Sequence, residues 1–134
     1  MYYIKFIMKN NVLKMIEYLY YFSLILLFIL YLFPGSLIGY LLYGDLGKQP
    51  SLVDNPIGTS INHLFCFMYL TVLAIICNLK KIRILTNFYF IIFISVFLEA
   101  SHYIIPNRAF ELYDLIANSA GVILIFLISK LIKW

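Results

Sequence analysis

Charged residues are scarce in this chain of 134 residues. They make up 12% of it, whereas 64% of the residues are hydrophobic, and a typical soluble domain is about 25% charged. A small globular protein has a large surface for its volume, so this few charges cannot cover one in water. The composition therefore predicts lipid surroundings, and it excludes a soluble enzyme and a disordered chain.

Cysteine is also scarce, with Cys66 and Cys77 as the two examples. Eleven residues apart on one helix, they would lie about 16 Å from each other, which is beyond the reach of a disulfide. The two cysteines therefore say little about the redox compartment, and the composition itself excludes a secreted disulfide scaffold. The sequence also lacks a Cys-x-x-Cys pair, a glycine-rich phosphate loop and a recognisable order of Ser, His and Asp for a catalytic triad.

Four apolar segments are each close to the roughly 20 residues that cross a bilayer as a helix. They run from about Met15 to Phe33, Asn62 to Leu79, Ile84 to Ile105 and Leu112 to Ile132. Lipid requires every backbone polar group to be satisfied internally, and the segments do not alternate in polarity as barrel strands do. The predicted fold is an all-α integral membrane bundle of four transmembrane helices, forming a single domain over residues 1–134.

The basic residues predict the orientation of this bundle. With both termini cytoplasmic, eight of the ten lie inside, and Lys48 and Arg108 lie outside, as the positive-inside rule requires. The eight are Lys5, Lys9, Lys14, Lys80, Lys81, Arg83, Lys130 and Lys133. The net charge of +4 is therefore interpreted as a topology signal, and no nucleic-acid partner is expected.

The first segment also has the basic start and apolar middle of a secretory signal peptide. However, the chain has no alanine before Ala74, and no convincing small-x-small cleavage site follows the apolar run. We therefore interpret the segment as an uncleaved anchor helix.

The loop from Pro34 to Ser60 differs in composition, with five of the six glycines and three of the four prolines. Its short apolar run, Leu37–Tyr43, cannot span a bilayer. We expect it to lie at the membrane interface with its tyrosines at headgroup level.

Polar residues within the apolar segments are few and lie towards one side of the membrane. An ionisable residue at the centre of a span costs roughly 2.5–3.5 kcal/mol on insertion scales. On the third segment Ser95, Glu99 and His102 are spaced as one helical stripe, and Asp114, Asn118 and Gly121 repeat that spacing on the fourth. The sequence thus predicts an outer-leaflet polar pocket formed by His63, Glu99, His102, Arg108, Asp114 and Asn118.

Structural roles for the same residues remain open. Asp114 and Asn118 could complement the helix dipole and cap free N–H groups, and the Ala117-x-x-x-Gly121 pattern lets helices approach closely. Arg108 could turn towards Glu99 or Asp114 and hold a hairpin. It could equally turn towards an anionic headgroup, since its guanidinium suits phosphate.

A metal site is a further alternative. Glu99-x-x-His102 has the spacing found in di-iron bundles, but such bundles need two of these motifs and two further Glu. His63 and Asp114 could instead complete a site with mixed nitrogen and oxygen ligands. We expect neither a metal nor a cofactor.

The stretch from Glu99 to Gly121 resembles the signature of VanZ-like membrane proteins. That pattern is approximately E-x-x-Q-x-x-x-P-x-R, then Asp six residues after the Arg, then Asn and Gly at helical spacing. The matching positions are Glu99, Pro106, Arg108, Asp114, Asn118 and Gly121, and His102 stands where Gln is usual. His63 matches a second block, Asp-Lys-x-x-His, in which Thr59-Ser60 replaces the first pair. The resemblance covers about residues 34–132.

The resemblance implies a multi-pass protein of the bacterial inner membrane and cell envelope. The namesake of the family is associated with resistance to teicoplanin, a glycopeptide. We expect a pocket that binds a lipid headgroup, such as that of a lipid-linked envelope precursor, or another membrane protein. The alternatives are a membrane-embedded enzyme acting on a lipid-linked cell-wall intermediate, with Glu99 or His102 as general base and Arg108 on phosphate, and a small assembly factor.

Overall fold

The computed structural model describes residues 2–51, 58–78 and 84–132, with side chains from Asn11 onwards. These residues are helical and contain no strand. The helices are α1 (Tyr2–Leu32), α2 (Leu37–Tyr43), α3 (Gly58–Asn78), α4 (Phe88–Ser101) and α5 (Leu112–Leu131). The basic residues at positions 80, 81, 83 and 133, on which the predicted orientation partly rests, lie outside the described residues.

Within the described part of the chain, three helices are long and apolar enough to cross a membrane: Asn11–Leu32 within α1, and all of α3 and α5. Large apolar side chains cover the outside of the bundle, among them Phe22 and Tyr89, which are 65% and 78% exposed. Such a surface is unfavourable in water but suits lipid. The protein is therefore an all-helical, multi-pass membrane protein.

The first helix begins earlier than predicted, at Tyr2 rather than Met15. The sequence has no proline or glycine before Pro34-Gly35, so no residue of the kind that breaks helices interrupts α1. Its 31 residues make it about 46 Å long, and a hydrocarbon core is about 30 Å thick. The predicted apolar segment, Met15–Phe33, indicates which part of the chain favours lipid, but it does not indicate where α1 begins.

The third predicted segment, Ile84–Ile105, is not one continuous helix. Residues Ile84–Thr86 form a 3₁₀ turn, and α4 begins after Asn87, whose side chain accepts a hydrogen bond of 2.7 Å from the Phe90 N–H. This N-cap sets the start of the helix. At the other end the chain leaves the helix after Ser101 through successive turns. The 14 residues of α4 extend about 21 Å.

Helices α3 and α5 run parallel to each other. Ser60, at the start of α3, donates to Asp114 at the start of α5, and further along Leu64 lies beside Gly121. A Cβ atom on Gly121 would lie 2.6 Å from the Leu64 carbonyl oxygen, far inside ordinary contact. The glycine thus permits a close helix approach, which is the structural role that the small-residue pattern left open for it.

Helix α4 packs against α5 and α1 and runs antiparallel to α5, while α1 runs antiparallel to α3. Near the start of α4, the Tyr20 hydroxyl of α1 donates to the carbonyl oxygen of Leu85. At its far end, Glu99 accepts from the backbone N–H of Glu111, just before α5. Tyr31, at the end of α1, meets the first turns of α3. The start of α3, the end of α4 and the start of α5 therefore lie together at one end of the bundle, with the end of α1.

The apolar run in the loop forms the short helix α2. Ser36 caps it by accepting a hydrogen bond of 2.9 Å from the Gly39 N–H, and Gly44 ends it with a φ of 69°. Among the described residues, Cys66 and Cys77 form no disulfide.

The apolar core lies between the longer helices. The largest of its fully buried apolar side chains are Tyr20, Phe67, Leu70, Ile91, Ile94, Leu98 and Val122.

Candidate functional site

Three ionisable side chains from three helices meet at this end of the bundle. His63 of α3 lies between Glu99 of α4 and Asp114 of α5. Its Nδ1 is 3.9 Å from Glu99 Oε2, and its Nε2 is 3.5 Å from Asp114 Oδ2. Glu99 is fully buried and Asp114 is 4% exposed. The structure thus brings together residues that the sequence placed on three separate segments.

Glu99 ties α4 to the start of α5. Its Oε1 accepts a hydrogen bond of 3.2 Å from the Glu111 N–H and lies 3.2 Å from Nδ1 of His102. One alternative from the sequence was a hairpin held by Glu99 and Arg108. The hairpin contact of Glu99 that the structure shows is instead with a backbone N–H group.

Asp114 contacts α3 through both of its oxygens. Oδ1 accepts a hydrogen bond of 2.5 Å from the Ser60 hydroxyl, and Oδ2 faces His63. Asp114 lies in the first turn of α5, whose N-cap residue, Glu111, makes no side-chain cap bond. A negative charge on Asp114 at this position complements the helix dipole. The described contacts of the Asp114 side chain also join α5 to α3.

Asn118 and Tyr31 complete the cluster. The Tyr31 hydroxyl donates to Asn118 Oδ1 at 2.9 Å and lies 2.8 Å from His63 Nδ1. Asn118 Nδ2 is 3.5 Å from both the Ser95 carbonyl oxygen and Glu99 Oε2. Because a hydroxyl has one hydrogen, Tyr31 accepts from His63, so the network places the imidazole proton on Nδ1.

His102 contributes a second imidazole. Its ring stacks on that of Tyr31, with centroids 5.5 Å apart and planes 16° from parallel. Nδ1 faces Glu99, whereas the buried Nε2 has no hydrogen-bond partner among the described residues. Such buried polar atoms are uncommon.

Arg108 takes a different position from the other predicted site residues. Its Nη2 donates to the Leu30 carbonyl oxygen at 2.6 Å, and its Nε donates to that of Phe33 at 3.4 Å. These carbonyls belong to the last turn of α1 and the residue after it, where a helix has free acceptors. Of the two alternatives left open by the sequence, a turn of Arg108 towards Glu99 or Asp114 is therefore not what the structure shows.

The turn before Arg108 sets its direction. Arg108 N–H lies 3.4 Å from the Ile105 carbonyl oxygen, and Asn107 has a φ of 57°. Pro106 followed by a residue of positive φ is the pattern of a type II turn.

Burial lowers the pKa of Arg108 below its ordinary value, although the neighbouring Tyr31 and Glu99 act in the opposite direction.

An open cleft of about 530 Å³ lies beside the cluster. Its wall is mostly apolar and comes from α1, α2, α3 and residues 49–51. Arg108, Asn62 and His63 are among its polar lining residues, and Leu27, Leu37 and Leu42 are among its apolar ones. His63 is shared between the cleft and the buried cluster, and it therefore joins the two.

Two residues of the cluster were missed as site residues. Tyr31 is not singled out from the sequence above, and Ser60 appears there only as part of the Thr59-Ser60 departure from a family pattern. Ser60 is three residues before His63 on one helix, so its spacing could have placed it on the same face. For Tyr31 the available signal was its position just before Pro34-Gly35, at the predicted outer level.

Comparisons with models of known protein families, with curated proteins and with solved structures found no match for this chain.

Proposed function

We propose that this protein binds the anionic headgroup of a lipid or lipid-linked molecule in the cleft beside the polar cluster. The observation that carries the proposal is the pairing of a largely apolar cleft with the cation of Arg108. Amphiphile binding requires both features, because the chain needs apolar walls and the phosphate needs a fixed donor.

Arg108 suits this role by its position. Its described hydrogen bonds use Nε and Nη2, and a guanidinium has five N–H donors. Its anchoring to the end of α1 fixes the fork before a ligand arrives, which lowers the ordering cost of binding. Partial burial also strengthens the attraction between a guanidinium and an anion.

The proposal includes four membrane spans with both termini in the cytoplasm. Because α3 and α5 are parallel, the chain between them has to cross back, and α4 with its flanking turns supplies that crossing. Both termini then lie at the end opposite the polar cluster. The positive-inside bias supports placing that end in the cytoplasm, so the cleft would face the outer leaflet.

A lipid-binding measurement tests the proposal directly. The full-length protein in detergent micelles is titrated with phosphatidylglycerol or phosphatidylcholine, and binding is followed by native mass spectrometry. We expect one phosphatidylglycerol to be retained in preference to phosphatidylcholine. Arg108→Ala should weaken that binding at least tenfold, since hydrogen bonds to charged groups contribute about 1.5–3 kcal/mol.

Lys48→Ala is the matched control, because it removes one positive charge from an exposed side chain of the same predicted outer side. It should leave lipid retention close to that of the wild type. Equal retention of the two lipids, or equal losses in the two variants, would show that the cleft does not recognise an anionic headgroup.

The resemblance to VanZ-like proteins supports a wider role in the bacterial cell envelope, linked to resistance to teicoplanin-type glycopeptides. A comparison of a deletion strain, the wild type and Glu99→Gln tests this role by resistance and by envelope composition. Loss of the phenotype at unchanged membrane abundance is expected. A parallel fall in abundance would instead indicate that Glu99 is structural.

A membrane-embedded enzyme is the second candidate. The observation that favours it is the contact of His63 with two buried carboxylates, since imidazole and carboxylate pairs transfer protons in catalysis. Purified protein would then turn over lipid-linked cell-wall intermediates, with or without divalent metal. Binding of such molecules without turnover would reject the enzyme and retain the binding protein.

A further inference from the structure

We propose that His63, Glu99 and Asp114 bind one divalent transition-metal ion of the zinc type. Each of these residues, one from each of three helices, offers one ligand atom, and these atoms lie within 4.8 Å of one another. The site adjoins the cleft through His63, but the proposal does not rest on headgroup binding.

The hydrogen-bond network leaves a position for a cation. Since Tyr31 donates to Asn118 and accepts from Nδ1 of His63, the unprotonated nitrogen of a neutral His63 is Nε2. That atom faces Asp114 Oδ2 at 3.5 Å. Two lone pairs facing each other in an environment of low dielectric repel, and a cation between them removes the repulsion.

The charge of the cluster points the same way. The described basic side chains within 4 Å of the two carboxylates are imidazoles, which carry a positive charge only when protonated: His63 for both of them and His102 for Glu99. Two buried carboxylates are costly without compensating positive charge. A divalent ion compensates both at once.

Neighbouring side chains hold each ligand in place, as they do around established metal sites. Ser60 donates to Oδ1 of Asp114 and leaves Oδ2 directed at His63. Tyr31 fixes the tautomer of His63 through Nδ1. His102 and the Glu111 N–H engage Oε1 of Glu99 and leave Oε2 on the side of His63.

The geometry fits three protein ligands with a further position open. Ligand atoms on a tetrahedral zinc ion are about 3.4 Å apart, so binding requires side-chain shifts on the order of 1 Å. His63 lines the cleft, from which water or another ligand could reach the ion. One imidazole and two carboxylates suit Zn²⁺ or Mn²⁺ better than copper(I), which prefers sulfur ligands.

Metal titration of the full-length protein in detergent micelles tests the proposal. Chelator-treated protein is titrated with Zn²⁺ and separately with Co²⁺, whose absorption bands report the ligands. We expect one equivalent per chain. His63→Gln, Glu99→Gln and Asp114→Asn should each weaken binding at least tenfold, while thermal unfolding and gel filtration report whether each variant is folded.

Two variants serve as matched controls. Glu111→Gln neutralises an exposed carboxylate next to the cluster and should leave binding close to that of the wild type. His102→Gln keeps a side-chain donor for Glu99 and should weaken binding less than His63→Gln does. Because Arg108 is outside the ligand set, Arg108→Ala should retain the metal even where it loses lipid.

Wild-type protein that takes up less than one equivalent of both ions would overturn the proposal and would indicate that a proton on His63 fills the position instead. Stoichiometric binding that survives His63→Gln would also overturn it, because the metal would then lie elsewhere.

Discussion

Gly121→Ala is predicted to destabilise the packing of α3 against α5. The added Cβ would lie 2.6 Å from the Leu64 carbonyl oxygen and 3.1 Å from the Met68 backbone nitrogen, whereas ordinary contact begins at 3.4 Å. Relief of the first overlap needs a shift of 3.4 − 2.6, or 0.8 Å. Both contacts are backbone atoms, so the helices themselves have to separate.

The sign of the effect distinguishes this explanation from simple helix propensity. Alanine is favoured over glycine within a helix by about 1 kcal/mol, so an uncrowded glycine would give a stabilised variant. Overpacking costs about 1–3 kcal/mol, and we expect a net loss of stability. A separation of 0.8 Å would also lengthen the hydrogen bond from Ser60 to Asp114, now 2.5 Å.

Unfolding of the purified protein in mixed micelles of mild detergent and dodecyl sulfate measures this free energy. Ser119→Ala, two residues earlier on the same helix, is the control, and it should be neutral or slightly stabilising. A Gly121→Ala protein as stable as the wild type, or more stable, would refute the explanation from close packing.

Further predictions concern the cluster. Tyr31→Phe removes the hydroxyl that joins His63 to Asn118 and should cost about 1–3 kcal/mol of unfolding free energy in the same micelle assay. The exposed Tyr40→Phe should cost almost nothing, and equal losses would contradict the network. Glu111 is largely exposed, but partial burial of its carboxylate raises its pKa, and the nearby Asp114 and Glu99 raise it further. An acid with a raised pKa favours the folded state at low pH and loses that contribution as pH rises through the folded pKa. Glu111→Gln should therefore melt above the wild type near pH 7 but not near pH 4, and a difference independent of pH would contradict this assignment.

Much of the helical architecture follows from hydropathy alone. The predicted segment Leu112–Ile132 agrees with α5 to within one residue. The predicted segment Asn62–Leu79 begins four residues after the observed start of α3, and its last residue lies outside the described residues. Hydropathy measures where lipid is tolerated, whereas hydrogen bonding and backbone geometry determine where a helix begins. For this reason the start of α1 and the Asn87 cap of α4 were not predicted.

The cluster could be predicted in part because placing its polar side chains within a membrane span costs free energy. That cost, together with helical spacing, singled out Glu99, Asp114 and Asn118 from single segments. The direction of Arg108 could not be predicted, because free carbonyls at the end of α1 compete with carboxylates for its donors and sequence spacing does not rank them. Tyr31 was missed because its apolar ring resembles the many tyrosines on the lipid-facing surface.

Chemical cross-linking in native membranes tests most directly whether these segments share one polar niche. The chain carries Cys66→Ser and Cys77→Ser, with new cysteines placed by Ser60→Cys and Asp114→Cys, and a short dithiol-reactive reagent is added. The account predicts rapid cross-linking of this pair and none between Ser60→Cys and Ser129→Cys, since position 129 lies 15 residues, or about 22 Å, further along α5. Failure of the first pair to cross-link, with both thiols reactive from opposite sides of the membrane, would contradict the account.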